Sequence, residues 1–266
     1  VIELNELTKI FEAQSIRIGR FKPKKLLKLP SIFTSDAQQQ VQAIKQIIEQ
    51  NEQPIVIFCE NIKKTYQLLQ HICAIPNKTI MCLTGQESKE EREQWLFNQE
   101  ASHHAGAPHC VTIGISILAR GIDYLPQHPK GLLGILTYIE ENERLETQQN
   151  GRPARAGEPG QIIAIYNTQD ILEKMKKFSI YHVSKELLPH HKALLQKHKI
   201  KQTIEQRHIQ QLRLWCWSHL LDLIHNSLTT SNIMDRQIYA YQLFKIFEHQ
   251  WEISPLSPKL PRDEHI

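Results

Sequence analysis

An α/β domain with a mostly parallel sheet flanked by helices, followed by an α-helical C-terminal extension, is the fold class this sequence predicts. Two observations carry the prediction. Short β-branched runs alternate with helical periodicity and short links from residue 36 onward, which is the signature of parallel strands joined by crossover helices. From about Ile180 the strand-like runs stop, and a long polar, helix-prone stretch takes over.

The elements follow in order. Residues 1–35 lack a clear period. Lys22, Lys24, Lys25 and Lys28 with Pro23 and Pro30 read as a solvated connecting segment. Asp36 is a capping residue, and Val41, Ile44, Ile47 and Ile48 follow at helical spacing until Asn51-Glu-Gln-Pro. Ile55-Val-Ile-Phe-Cys reads as a buried strand between turn signals. A helix runs through Tyr66, Leu68, Leu69 and Ile72, and a strand through Thr79-Ile-Met-Cys-Leu. A polar helix is expected around Lys89–Asn98. Strands at Cys110-Val-Thr-Ile-Gly, Leu132–Leu136 and Gln161-Ile-Ile-Ala-Ile-Tyr complete the sheet. Ligands of such a sheet are expected on loops beyond the carboxyl ends of its strands. Glu186 to Asn226 is predicted helical, with Leu212, Trp215, His219, Leu220, Leu223 and Ile224 as an apolar stripe. A further helix is expected from Asp235 to Trp251, then a Pro-rich loose tail. The expected organisation is therefore a lead-in over 1–35, the α/β domain over 36–180, the helical extension over 181–253 and a tail over 254–266.

Composition limits the function classes. Hydrophobic residues make up 41% of 266 and charged residues 23%, a globular balance that excludes collagen-like and wholly disordered chains. The net charge of +4 permits an anionic partner without demanding one. Five widely spaced Cys without C-x-x-C argue against a disulfide framework or zinc site and favour a reducing compartment. No apolar run is long enough to cross a bilayer. The chain opens on Val and is expected to be part of something longer.

Two loops carry the chemistry. Ser116-Ile-Leu-Ala-Arg-Gly-Ile-Asp123 follows one strand, and Gly151-Arg-Pro-Ala-Arg-Ala-Gly-Glu-Pro-Gly160 precedes another. Arg152 and Arg155 lie three apart. If their segment starts a helix, both planar guanidinium forks converge on one target, such as a phosphate. Asp123 is placed to accept from a ribose or to pair with an arginine. The plainer reading pairs both arginines with Glu140, Glu141 or Glu158 on a surface turn. His103, His104, His109 and Cys110 lack metal-ligand spacing and read as a solvated loop, as do Pro189-His-His and His198; no metal ligand is assigned. Trp215 and Trp217 are expected in a core or an interface.

With these residues in view, the chain resembles the second RecA-like domain of superfamily-2 helicase-type ATPases. Ile55-Val-Ile-Phe-Cys is similar to motif IV, and Leu83-Thr-Gly-Gln with Arg92 to the H-G-x-x motif that follows. Ala119-Arg-Gly-Ile-Asp123 matches motif V of DEAD-box proteins, and Gly151-Arg-x-x-Arg-x-Gly157 the spacing of motif VI. Within that superfamily the stretch from Gly131 to Gly160, with Glu141, Arg144 and Gln148, resembles the SecA motor without a gap. Departures are Ile115-Ser116 for T-N, Ala154 for a motif VI glycine, Asn150 for Arg, and Thr137-Tyr-Ile-Glu-Glu for T-E-R-H-E.

The resemblance implies a C-terminal half-module of an ATP-driven protein translocase motor. Arg152 and Arg155 would be arginine fingers to ATP, with Mg2+, held by an upstream RecA-like domain. Gly121, Asp123, Gln148 and Gly151 would lie at the nucleotide. The chain has no G-x-x-x-x-G-K-[ST] of its own, so hydrolysis is not expected from it alone. The extension would hold a polypeptide substrate or partner protein. A cytoplasmic location follows, with peripheral membrane association or export as an effector as variants. The alternatives are an RNA helicase C-terminal domain, disfavoured by the weak positive charge, or a catalytically dead interaction scaffold such as a bacterial effector.

Overall fold

The computed structural model describes residues 25–98, 103–119, 122–155, 157–184 and 186–229. The expected helix at Asp235 to Trp251 and the Pro-rich tail lie outside them, as do Lys22 and Lys24. The chain divides into two units, Val1–Lys201 and Gln202–Ile266.

The first unit is a seven-stranded sheet in which every pairing is parallel. Its strands are β1 (Lys25–Lys28), β2 (Ile32–Thr34), β3 (Ile55–Phe58), β4 (Thr79–Leu83), β5 (Cys110–Gly114), β6 (Leu132–Leu136) and β7 (Pro159–Asn167). The order is β1-β7-β6-β3-β5-β4, with β2 also on β7. Residues 25–34, read from sequence as connecting chain, thus form an edge. β1 pairs with the first half of β7 and β2 with its last residues. Pro30 lies between them and has no N–H for a ladder, which suits an interrupted edge.

β3 sits centrally, and all four of its residues are buried. A strand covered on both faces must be apolar at every position, and Ile-Val-Ile-Phe meets that demand. Val56 and Phe58 point into one core, and Ile55 and Ile57 into the other, as the two-residue pleat requires. α1 (Ala37–Gln50) and α2 (Ile62–Ile72) cover one face through Ile44, Ile48, Leu68 and Ile72. The opposite face is covered by α3 (Lys89–Phe97), α5 (Thr168–Lys176) and the start of α6 (Leu188–Thr229), through Trp95, Leu96, Ile171, Met175 and Leu195. Trp95 Nε1 donates to Thr112 Oγ1 at 2.9 Å inside this core.

Local chemistry starts the helices. Asp36 accepts from the Gln39 N–H, and Asn61 from the Lys64 N–H. Ser88 and Glu91 form a reciprocal capping box. α4 (Glu143–Gly151) starts where Asn142 Oδ1 accepts from the N–H groups of Arg144 and Leu145, and α5 where Asn167 accepts from Gln169. Each side-chain oxygen satisfies an otherwise orphaned first-turn donor. α6 continues into the second unit. There Trp215 is 59% and Trp217 44% exposed, so neither is a core residue.

Candidate functional site

Two loops meet over the face of the sheet covered by α3 and α5. After β5 the chain makes a 3-10 turn, Ser116–Ala119, that buries Leu118 and Ala119. Ile122 and Tyr124 then enter the same core. α4 returns from the end of β6 and closes at Gly151, with Arg152 as its C-cap. The arginines therefore follow a helix rather than start one. Pro153, which lacks an N–H, ends the helical ladder, and Gly157 takes a φ of 87° in the turn that follows.

Pro153 is seated tightly on the sheet. A Cβ on Gly160 would lie 1.9 Å from the Pro153 carbonyl oxygen, and one on Gly134 would lie 2.8 Å from the Pro153 ring. Only residues without a side chain let the arginine segment approach β6 and β7 this closely. The segment leads into the amino end of β7. The crossover helix α4 carries the chain back before these arginines occur, as the sequence position of their loop ahead of a strand requires.

Both guanidinium groups converge, and their shared target is backbone. Arg152 Nε donates to the Ala119 carbonyl at 2.8 Å, and its Nη2 reaches the same oxygen. Arg152 Nη1 donates to the Ile122 carbonyl. Arg155 Nη1 donates to that same Ile122 oxygen at 3.0 Å and pairs with Asp123 Oδ1 at 3.3 Å. Burial, with Arg155 beside it, pushes the Arg152 guanidinium below its ordinary value. The side chains of Arg155 and Asp123 are 49% and 54% exposed, whereas Arg152 is half-buried and spends its donors on loop carbonyls.

The alternative pairing with glutamates is not what forms. Glu140 accepts from the Tyr138 hydroxyl at 2.7 Å and from the Asn142 N–H, while Glu141 pairs with Lys174 at 3.4 Å.

Gln148 is half-buried on α4. A Cβ on Gly151 would meet nothing within 4 Å, so packing does not require glycine there. Gly121 lies outside the described residues.

Other sequence expectations change. His104 and His191 are each 2% exposed, so neither belongs to a solvated loop. His104 Nδ1 accepts from the Gly106 N–H at 3.1 Å and holds its loop inward. His198 stacks edge-on against Phe178. Among the described residues no group of three or more His, Cys, Asp or Glu is arranged to hold a metal ion.

Sequence reasoning missed two groups. Gln149, 1% exposed, donates to the Tyr138 hydroxyl at 2.9 Å; burial, followed by the Glu140 carboxylate, raises the Tyr138 phenol well above its ordinary value. Tyr138 is one of the departures from the SecA-like string, which was the available signal. The second group is ionic. Lys174 pairs with Glu60 at 2.6 Å, and Lys64 with Glu60 and Asp170. It borders a cavity of about 240 Å³ lined by Gln40, Cys59, Lys64, Thr137 and Asp170 among others. This cavity does lie at the carboxyl ends of β3 and β6, where the strand order reverses.

The chain is 25% identical over 176 residues to the protein translocase subunit SecA 3 of Magnetococcus marinus, an alignment covering 63% of this chain. Over that stretch the chain is similar to SecA, and its parallel sheet flanked by helices is a RecA-like fold. The chain spans a quarter of the length of that SecA relative. No family model matches the chain. Among solved structures it is similar to a DEAD-box protein from Methanococcus jannaschii, at 21% identity and a TM-score of 0.42, covering 56% of this chain and 38% of that one. It is also similar to the RNA helicase Prp28 from Chaetomium thermophilum bound to ADP, at 19% identity and a TM-score of 0.43, covering 69% of this chain and 44% of the helicase. No helix among the described residues of the SecA-like chain is long and apolar enough to cross a membrane.

Proposed function

We propose that this SecA-like domain forms the second wall of a two-domain ATP site in a protein-translocating motor. Arg155 is the finger that reaches the γ-phosphate of ATP held, with Mg2+, by an upstream RecA-like domain. Asp123 aims that guanidinium and offers its carboxylate to a ribose hydroxyl. Arg152 anchors the loop on which Arg155 stands. Fixed positive charge beside the transferring phosphoryl group stabilises the charge that spreads over its oxygens. Gly121, Gln148 and Gly151 flank the nucleotide in this reading. The motor works in the cytoplasm and passes its closure to a polypeptide held by the helical extension.

The observation that carries the reading is the convergence of Arg152 and Arg155 on one carbonyl, that of Ile122, next to Asp123. Two loops distant in sequence are tied together there, and one guanidinium is left about half exposed. The exposed Leu214, Trp215 and Leu221 of α6 support an extension that grips apolar polypeptide.

The test supplies a SecA-type first ATPase domain in trans and follows phosphate release. Arg155→Ala is expected to lower turnover by about 10³-fold, as loss of a finger does, with ADP affinity changed by less than about threefold. Turnover within about threefold of the parent sinks the assignment.

A further inference from the structure

Apolar burial cannot hold α4 in place. Within Glu143–Gly151 the only apolar side chain longer than glycine is Leu145, which is half-buried. Yet this helix ends at Arg152, so its position sets where the arginine segment begins. Polar contacts must do the positioning. Gln149 fastens one side of α4 to Tyr138 and Glu140. Arg152 fastens its end to the 3-10 turn. A further contact comes from a distant part of the chain: Lys192 Nζ pairs with Glu146 Oε1, and Gln196 Nε2 donates to Glu146 Oε2 at 3.0 Å. Asn150 Nδ2 lies 3.5 Å from the same carboxylate.

Lys192 and Gln196 are one helical turn apart, so both oxygens of Glu146 are gripped from one face of α6. Those first turns of α6 are themselves anchored. Leu195 is fully buried in the same core as Met175 and Ile171, and His191 is buried one turn earlier. The constraint therefore runs from the core, through α6, to Glu146.

We propose that the first turns of α6 are a strap that positions the arginine segment, with Glu146 as the positioning residue. While Lys192 and Gln196 hold Glu146, α4 ends where Arg152 can reach Ala119 and Ile122. When those turns shift, α4 is released and Arg155 loses its aim. The inference rests on the proposed function only for the meaning it gives to Arg152 and Arg155.

Hydrogen exchange of the full 266-residue chain, read by mass spectrometry without nucleotide, tests it. Lys192→Met keeps the stem and removes the charge. It is expected to speed exchange about fivefold in peptides spanning both 143–155 and 188–201, and to leave β3 and β5 unchanged. Glu146→Lys is expected to do the same, and the double variant Glu146→Lys with Lys192→Glu to restore protection. Faster exchange in 188–201 alone overturns the proposal, as does no change in either peptide. A uniform rise across the sheet that the double variant does not reverse also overturns it. A failure of Arg155→Ala to lower turnover leaves these exchange rates untouched, so the two readings fail separately.

Discussion

Replacing Arg152 by Met tests the division of labour between the two arginines. The Met side chain has a similar apolar stem but no donor. The Ala119 carbonyl accepts from Arg152 Nε and Nη2, and Ala119 is fully buried. The substitution leaves that oxygen without either donor. Ile122 is less exposed to the loss, because Arg155 still donates to its carbonyl at 3.0 Å. Hydrogen bonds from a charged donor contribute about 1.5–3 kcal/mol, and an abandoned buried acceptor costs about 1–3 kcal/mol. These are two views of one loss, so the expected cost is about 2–3 kcal/mol. At roughly 2–4 °C per kcal/mol for a unit of this size, the midpoint of thermal unfolding falls by about 4–12 °C. Arg155→Met removes a bond and an ion pair at a side chain that is 49% exposed, and surface pairs of this kind contribute about 0–1 kcal/mol. The assay is far-UV circular dichroism on both variants through heat and urea. Arg152→Lys sharpens it, since Lys keeps the charge but cannot bridge two carbonyls with a planar fork. It is expected to recover less than half of the loss. If Arg152→Met is no more destabilising than Arg155→Met, Arg152 is not the anchor and the reasoning is refuted.

Two further predictions follow from geometry and titration. Gly160→Ala drives a methyl to 1.9 Å from the Pro153 carbonyl and is expected to cost more than about 3 kcal/mol, while Gly151→Ala meets nothing within 4 Å and is expected to gain about 0.5–1 kcal/mol in the helix; urea midpoints of equal sign for the pair would count against the packing described. Burial, then His190 and His182, hold the His191 imidazole below its ordinary value of 6.5. The unfolded chain then takes up a proton near pH 6.5 that the folded chain resists. Stability contributed by neutral His191 is therefore complete above pH 6.5 and is lost as pH falls towards the lowered folded value. His191→Leu is expected to flatten the stability profile between pH 7 and 5, and an unchanged slope relative to the parent would remove His191 from that profile.

The strands were legible where they were buried on both faces. β3, β5 and β6 are short apolar runs bounded by turn residues, and the central sheet positions leave no other place for them. The capping residues Asp36 and Ser88 were equally readable, because a cap acts on its own neighbours. α4 was not. With Leu145 as its sole long apolar residue it shows no periodicity, and its position depends on Tyr138, Lys192 and Gln196, which are distant in sequence. β1 escaped notice because an exposed edge strand needs one partner and no apolar pattern.

The candidate site divides in the same way. Residue type and spacing, together with the resemblance of the two loops to motifs V and VI, singled out Arg152, Arg155 and Asp123. What each arginine does with its charge was decided only by the tertiary structure. A guanidinium three residues from another can face a phosphate, a carboxylate or a backbone carbonyl. The choice between them depends on which loop is brought alongside. Here the crossover of α4 and the bare backbone of Gly134 and Gly160 bring the Ala119–Asp123 loop to Arg152 and Arg155. Local sequence determined which strands and helices form, because those depend on near neighbours and burial. The long-range packing determined which arginine is anchored and which remains half exposed, because hydrogen-bond partners are set by proximity in space.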